Sequence, residues 1–199
     1  MKNCVILLLL TLLSATGAFP QDSARNSIAW KPRMVNFTDF KGINRHADDK
    51  RIAASTRTKV QMVIGDSLWG PNKDSLTVRV VAYFFPHLSW FKPEAFGNKK
   101  LLVHEQLHFD IAELHARQLR QQLATLQLTA ENYQKKIKKA HESMLKELRV
   151  MQWRYDSETI HGLREDEQRR WNDFSFDELN KLNAFRDTSF AIKVSLVQK

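Results

Sequence analysis

One short stretch, residues 104–108, carries the pattern in this chain that is best suited to chemistry, because it reads His-Glu-Gln-Leu-His. Two histidines four residues apart lie slightly more than one turn apart on a helix, so both imidazoles project from the same face. Imidazoles in this arrangement can bind one zinc ion at about 2.0–2.1 Å, and the intervening carboxylate can take a proton from a water molecule beside the metal. The stretch therefore predicts a Zn2+ centre with His104 and His108 as ligands and Glu105 as the general base.

A catalytic zinc ion needs a third protein ligand, and residues 155–162 supply the candidates. This segment combines a phenol, two carboxylates and an imidazole close to a predicted helix break. We predict His161 as the third ligand, because imidazole is a common zinc donor, and Glu158 and Asp156 are the alternatives. Tyr155 can donate a hydrogen bond to an oxyanion in the transition state, or it can be a buried tyrosine with a structural role.

Two further polar residues follow on the same predicted helix. His115 is seven residues beyond His108, which is about 10 Å along the helix axis and too far for both to bind one ion. We expect His115 either to hydrogen-bond to a metal ligand or to be a core histidine. Glu113 is five residues beyond His108 and points away from the ligand face, so we expect it to support the ligands rather than bind the metal.

The pattern of apolar residues predicts strands first and helices afterwards. β-Branched and aromatic residues predict strands at residues 27–30, 56–64 and 75–85, and a short alternating stretch predicts a closing strand at residues 189–197. Helical spacing predicts a first helix at residues 99–126 and a second that starts at residue 130, with Thr129 as its cap. A junction at residues 154–162 and a third helix at residues 163–172 are expected to follow.

This order of elements predicts an α+β fold, with a small, mainly antiparallel sheet followed by a helical half that carries the active-site helix. The first two helices are joined by a short turn at residues 127–129, so we expect them to pack antiparallel. The end of the second helix then returns toward the histidines of the first.

The N-terminal 18 residues have the features of a signal peptide: Lys2, an apolar run at residues 5–13 and small residues at 14–18. The apolar run is shorter than the twenty or so residues of a spanning helix, so we predict no stable membrane span after its removal, with an uncleaved anchor as the alternative. We predict an exported protein, periplasmic or extracellular, with one domain at residues 19–199. The single cysteine, Cys4, lies in the signal peptide, so a metal would have to bind His, Asp or Glu.

The chain is basic, with 31 Lys and Arg against 22 Asp and Glu and a formal net charge of +9. The basic residues are dispersed, and the densest group, at residues 135–139, falls on a predicted helix where charges usually face solvent. No aromatic residues are interleaved with them as in nucleic-acid-binding motifs, so we predict no nucleic-acid partner. A weak attraction to anionic surfaces is expected.

Residues 102–111 and 155–162 together resemble the bacterial family known as domain of unknown function 922, whose members are described as predicted secreted zinc-dependent proteases of the zincin superfamily. Residues 28–30, 39–42 and 53–56 look like the N-terminal pattern of the same family. The resemblance implies a zincin-like α+β fold, His104 and His108 as ligands, Glu105 as the catalytic carboxylate, and residues 155–162 as the second half of the site. One departure is Leu107, where the relatives often carry glycine.

The function predicted by motif and resemblance is that of a secreted zinc metallohydrolase, a peptidase acting on a peptide or protein substrate. We expect an extended substrate to pair with the edge of the strand at residues 75–85. The alternative is a non-catalytic, zinc-stabilised module that binds an envelope component. A hydrolase of non-peptide substrates is a third possibility, because the same activated water attacks esters as well as amides.

Overall fold

The computed structural model describes residues 26–44, 52–65 and 74–195. The strands are β1 (Ile28–Ala29), β2 (Ala54–Ser55), β3 (Thr58–Ile64), β4 (Ser75–Phe84), β5 (Trp90–Phe91), β6 (Leu128–Thr129) and β7 (Ser189–Ser195). The α-helices are α1 (Lys99–Thr125), α2 (Tyr133–Thr159) and α3 (Glu165–Lys181). The predicted signal peptide and residues 196–197 of the predicted closing strand lie outside the described residues.

The main sheet is built around β4, which is paired along both edges. β3 runs antiparallel on one side over residues 78–84, while β1 and β7 pair antiparallel with the two ends of the other side. β6 adds a parallel pair to β7, and β2 pairs separately with β5. The predicted α+β class and the mainly antiparallel sheet are confirmed. Among the described residues, β1, β3 and β7 occupy most of both edges of β4, so the structure does not favour the expected pairing of a substrate with residues 75–85.

Three predicted helix limits differ from the structure by three residues or more. α2 begins at Tyr133 with Asn132 at its N-cap, whereas we predicted a start at residue 130. Thr129 is instead held in β6, and its backbone N–H donates to the Asn132 side chain. At its other end α2 continues to Thr159, through most of the predicted junction, and α3 extends nine residues beyond its predicted end at residue 172.

The core lies between the sheet and α1. Alternate β4 residues, from Leu76 to Phe84, are buried on the face toward the helices, as the period of two along a strand dictates. A buried ion pair on α1 also contacts the sheet. The Arg120 guanidinium donates hydrogen bonds to the Glu113 carboxylate and to the Val80 carbonyl of β4. Glu113 also accepts a hydrogen bond from Arg117. The predicted role of Glu113 beside the metal ligands is therefore wrong, because its carboxylate belongs to this network.

The two 27-residue helices α1 and α2 form an antiparallel pair that is closed by the short β6 segment. The last turn of α2 consequently lies against the second turn of α1, where residues 104–108 are found. α3 packs on both helices beside that point. Of the helices described, none has a stretch long and apolar enough to cross a membrane.

Candidate metal centre

Three potential metal ligands converge where α1 meets the end of α2. His104 and His108 project from one face of α1, and Asp156 faces them from the last turn of α2. The Asp156 Oδ1 atom is 3.2 Å from His104 Nε2 and 3.0 Å from His108 Nε2. Ligand atoms of all three residues lie within 4.8 Å of one another, which makes this a group that could bind a metal ion.

The orientation of each imidazole is fixed by a glutamine. The Gln152 side-chain amide donates to the His108 carbonyl at 2.8 Å, so its oxygen faces His108 Nδ1. Gln168 donates to Asn172 through its amide nitrogen, and its oxygen lies 3.1 Å from His104 Nδ1. Because both Nδ1 atoms face an acceptor, both carry the N–H, and in the neutral form of each ring Nε2 presents its lone pair toward Asp156.

This tautomer makes the centre suited to a cation. With neutral rings, two nitrogen lone pairs and a carboxylate oxygen face each other without a hydrogen between them, an arrangement that costs free energy unless a proton or a metal ion lies there. Metal-binding histidines typically donate their second ring N–H to a nearby acceptor, as both rings do here. The residues present therefore fit a divalent metal with His₂–carboxylate coordination, the donor set of one class of catalytic zinc sites.

The pKa shifts at the centre reflect the same clustering. Burial by itself would lower the pKa of His108, but the Asp156 hydrogen bond and the charges of Glu105 and Asp156 outweigh it and raise that pKa to about 8. Burial would raise the pKa of Asp156, and the two histidines overcome it, so the pKa lies well below its usual range. The centre therefore favours a carboxylate next to positive charge.

Glu105 lies beside the three ligands with one oxygen unsatisfied. Its side chain is buried, and within the described residues Glu105 Oε2 has no hydrogen-bond partner. A buried, unpaired carboxylate oxygen costs free energy, and such groups in native proteins usually have a functional reason. Glu105 lines a cleft of about 350 Å³ together with His104, His108 and Asp156. A water or substrate atom in this cleft would give that oxygen its partner.

The chain leaves α2 through a strained turn that touches His104. Ile160, His161 and Gly162 have φ angles of 49°, 52° and 82°, all in the left-handed region that favours glycine. A Cβ atom on Gly162 would come within 2.9 Å of the Cβ and Cγ atoms of His104. Glycine at position 162 is therefore favoured both by the backbone conformation and by the close approach to His104.

His161 and Glu158, the other candidates for the third ligand, lie near this centre but outside the group of three possible ligands. The predicted third ligand His161 is half exposed at the cleft, with Nδ1 3.5 Å from Asp156 Oδ1, so the geometry favours Asp156 over His161. Glu158 is bound elsewhere, since it accepts hydrogen bonds from Arg154 and Trp171. 

Tyr155 and His115, two further candidate residues from the sequence, are both buried. Tyr155 stacks on the His104 ring at 4.6 Å, and its hydroxyl bonds with the His104 carbonyl and Gln168 Oε1 at 3.1 and 2.9 Å. That hydroxyl therefore bonds with groups next to the His104 ring, which fits the structural alternative for Tyr155. His115 is a core histidine whose Nδ1 bonds with the Ile111 carbonyl at 2.8 Å.

Sequence reasoning missed the two glutamines that orient the rings. Gln152 precedes Asp156 by four residues and so shares its helix face, a signal that could have identified it. Gln168 lies on α3, and its position beside His104 depends on how α3 packs, which no local pattern reveals.

Residues 95–162 match a protein-family model described as "Bacterial protein of unknown function (DUF922)". The match covers α1, α2 and every residue of the centre except Gln168. It does not include residues 28–30, 39–42 and 53–56, on which the N-terminal part of the predicted resemblance was based. No curated protein and no solved structure matches the chain.

Proposed function

We propose that this protein is an exported zinc-dependent metallopeptidase whose metal ligands are His104, His108 and Asp156. The observation that carries the proposal is the convergence of three acceptor atoms within 4.8 Å beside a buried, unpartnered oxygen of Glu105. Two of those acceptors are fixed by glutamines, so the donor set is organised before any ion binds. A structural zinc site would need four protein ligands, whereas three ligands leave a position open to the cleft.

In amide hydrolysis each residue of the cleft would have a separate role. A zinc ion supplies a Lewis acid that polarises a carbonyl and lowers the pKa of water toward about 7. Glu105 takes the proton from the attacking water and delivers it to the nitrogen that leaves. Gln152 and Gln168 keep the imidazoles in the tautomer that presents Nε2 to the cleft.

An extended substrate would lie along β2. Residues 52–56 form a wall of the cleft, and among the described strands β2 pairs only with β5. The Ala53 carbonyl accepts a hydrogen bond from the Lys92 N–H on the β5 side, so a substrate would have to pair with the opposite edge of this short strand. An unpaired strand edge binds an extended peptide through main-chain hydrogen bonds. We therefore propose β2, rather than the predicted strand at residues 75–85, as the strand that pairs with the substrate.

The proposal is tested with zinc-loaded protein and a library of internally quenched peptides. Glu105→Gln removes the base and keeps the shape, so we expect zinc to bind and the hydrolysis rate to fall about 10²- to 10⁴-fold. Glu142→Gln, which changes an exposed glutamate on α2, is the matched control and should hydrolyse at the wild-type rate. Equal rates for Glu105→Gln and the control would remove the mechanism.

The non-catalytic alternative makes a different prediction about folding. The hydrophobic core is formed by apolar side chains that are not candidate ligands, although it reaches the metal centre through Tyr155, so we expect the metal-free protein to remain folded. Zinc at about 1,000 times its Kd should then add about 4 kcal/mol to the free energy of unfolding through binding alone. Complete loss of the near-ultraviolet circular dichroism signal on chelation would favour a zinc-stabilised module instead.

A further inference from the structure

We propose that a second cleft, on the opposite side of α1, binds a small amphipathic carboxylate. This cleft measures about 630 Å³ and lies between α1, α3 and the segment that follows β1. Gln106 and Leu107 line it, while their neighbours Glu105 and His108 line the metal cleft. The two clefts are therefore separate, with α1 as their common wall, and a volume of this size is typical of small-molecule sites.

The walls of the second cleft are mainly apolar. Trp30 and Leu107 contribute to them, and two large side chains at the rim remain open to solvent, since Met34 is 51% and Phe176 67% exposed. Exposed apolar groups around a concave surface are typical of a binding site. The apolar part of a ligand would remove these side chains from water.

A buried hydroxyl in this cleft has no partner. Ser175 is 2% exposed, and its Oγ atom makes no hydrogen bond within the part of the chain that the structure describes. An unsatisfied buried hydroxyl is uncommon in a native protein, because it loses its bonds with water without replacement. Ser175 lies on the cleft wall, where a polar ligand atom can accept a hydrogen bond from it.

Charge favours an anion over a cation as the polar group. Lys31 and Arg33 are both exposed at the rim. The Asp110 carboxylate is already engaged, because it accepts hydrogen bonds from the Trp30 indole and from Gln106, each at 2.7 Å. Asp173 remains as an exposed carboxylate on the α3 side. Arg117 also lines the cleft and is paired with Glu113, while Arg33 lies 3.9 Å from Asp39. Three cationic side chains against two carboxylates in the lining, in a protein of net charge +9, favour an anionic group.

The experiment uses the metal-free full chain and three probes that share one alkyl chain: octanoate, octylammonium and 1-octanol. Binding is followed by the indole N–H signals in ¹H–¹⁵N spectra, with the Trp30 signal assigned from a Trp30→Phe variant. We expect octanoate to shift the Trp30 signal and to bind about fivefold more tightly than octylammonium, as one or two exposed ion pairs imply. Because no metal is present, the result does not depend on the proposed peptidase function.

Variants locate the site. Ser175→Ala keeps the core volume and should weaken octanoate about 10- to 100-fold, the effect of one hydrogen bond to a charged group. Phe176→Ala should weaken octanoate and 1-octanol alike, and joint replacement of Lys31 and Arg33 by Gln should abolish the preference for octanoate. Trp153→Ala is the control, because Trp153 is 72% exposed on α2 and away from this cleft.

Two results would overturn the proposal. Octanoate that leaves the Trp30 signal unmoved, or binds equally well to the Ser175→Ala and Phe176→Ala variants, would show that this cleft is not its site. Octylammonium that binds as tightly as octanoate would exclude an anion as the ligand class.

Discussion

Gly162→Ala tests whether the turn after α2 positions a metal ligand. The added Cβ would lie 2.9 Å from the Cβ and Cγ atoms of His104, whereas ordinary contacts begin at about 3.4 Å. His104 or the turn must therefore move by about 0.5 Å, which is the tolerance within which a functional constellation has to be held. Changes that disturb the support of a ligand typically weaken metal binding 10- to 100-fold, so we expect the zinc Kd to rise by that factor.

The backbone contributes a separate cost that a second glycine measures. Gly162 has a φ angle of 82°, and alanine in the left-handed region costs about 1–2 kcal/mol. Gly97 has a φ angle of 95°, and a Cβ atom there would meet nothing within 4 Å. Gly97→Ala therefore has a similar backbone penalty without the contact with His104, which makes it the matched control.

The assay combines zinc competition against a chromophoric chelator with urea unfolding of the metal-free proteins. Both variants should lose about 1–2 kcal/mol of stability, and only Gly162→Ala should lose zinc affinity. Equal zinc Kd values for the two variants would refute the inference that Gly162 holds His104 in place. A loss of zinc affinity in both would show that any destabilisation near the cleft has this effect.

Four further predictions concern the ligands and their protons. Asp156→Asn should raise the zinc Kd at least 100-fold and His161→Ala by less than about threefold in the same competition assay, and the reverse order would make His161 the ligand. Gln168→Leu leaves the Nδ1–H of His104 without its acceptor, so it should weaken zinc 10- to 100-fold, and a wild-type Kd would contradict this role. The pKa of His108 is raised to about 8, so the fraction of unprotonated His108 grows about 16-fold between pH 6.5 and 8. Zinc binds the unprotonated ring, so the zinc affinity should rise with that fraction. For a histidine with an ordinary pKa the fraction would grow only about twofold. The same raised pKa stabilises the metal-free fold by about 2 kcal/mol below pH 6.5, and urea unfolding should show this contribution disappearing as the pH rises through 8.

Much of the fold follows from local patterns. The long apolar stripe of α1 predicted its start at residue 99 and its end within one residue, because periodicity over many turns outweighs any single position. β4 was predicted within one residue for a similar reason, but its place in the sheet was not. Whether a strand is central or at an edge depends on pairing with β1 and β7, which are distant in sequence. The expectation that a substrate pairs with residues 75–85 was made without that information.

The choice of third ligand depended on where α2 ends. A junction beginning at residue 154 would have freed His161 to turn toward the histidines, whereas a helix continued to Thr159 fixes Asp156 on the inward face and leaves His161 half exposed. Local propensity favours an earlier end, because the helix is capped by Ile160 at a φ angle of 49°, a conformation that β-branched residues rarely adopt. Such strain persists only where the surrounding structure stabilises it, and here Gly162 then packs against His104. The position that the sequence predicts least well is therefore the one at which tertiary contacts, and the demands of the site, decide the backbone.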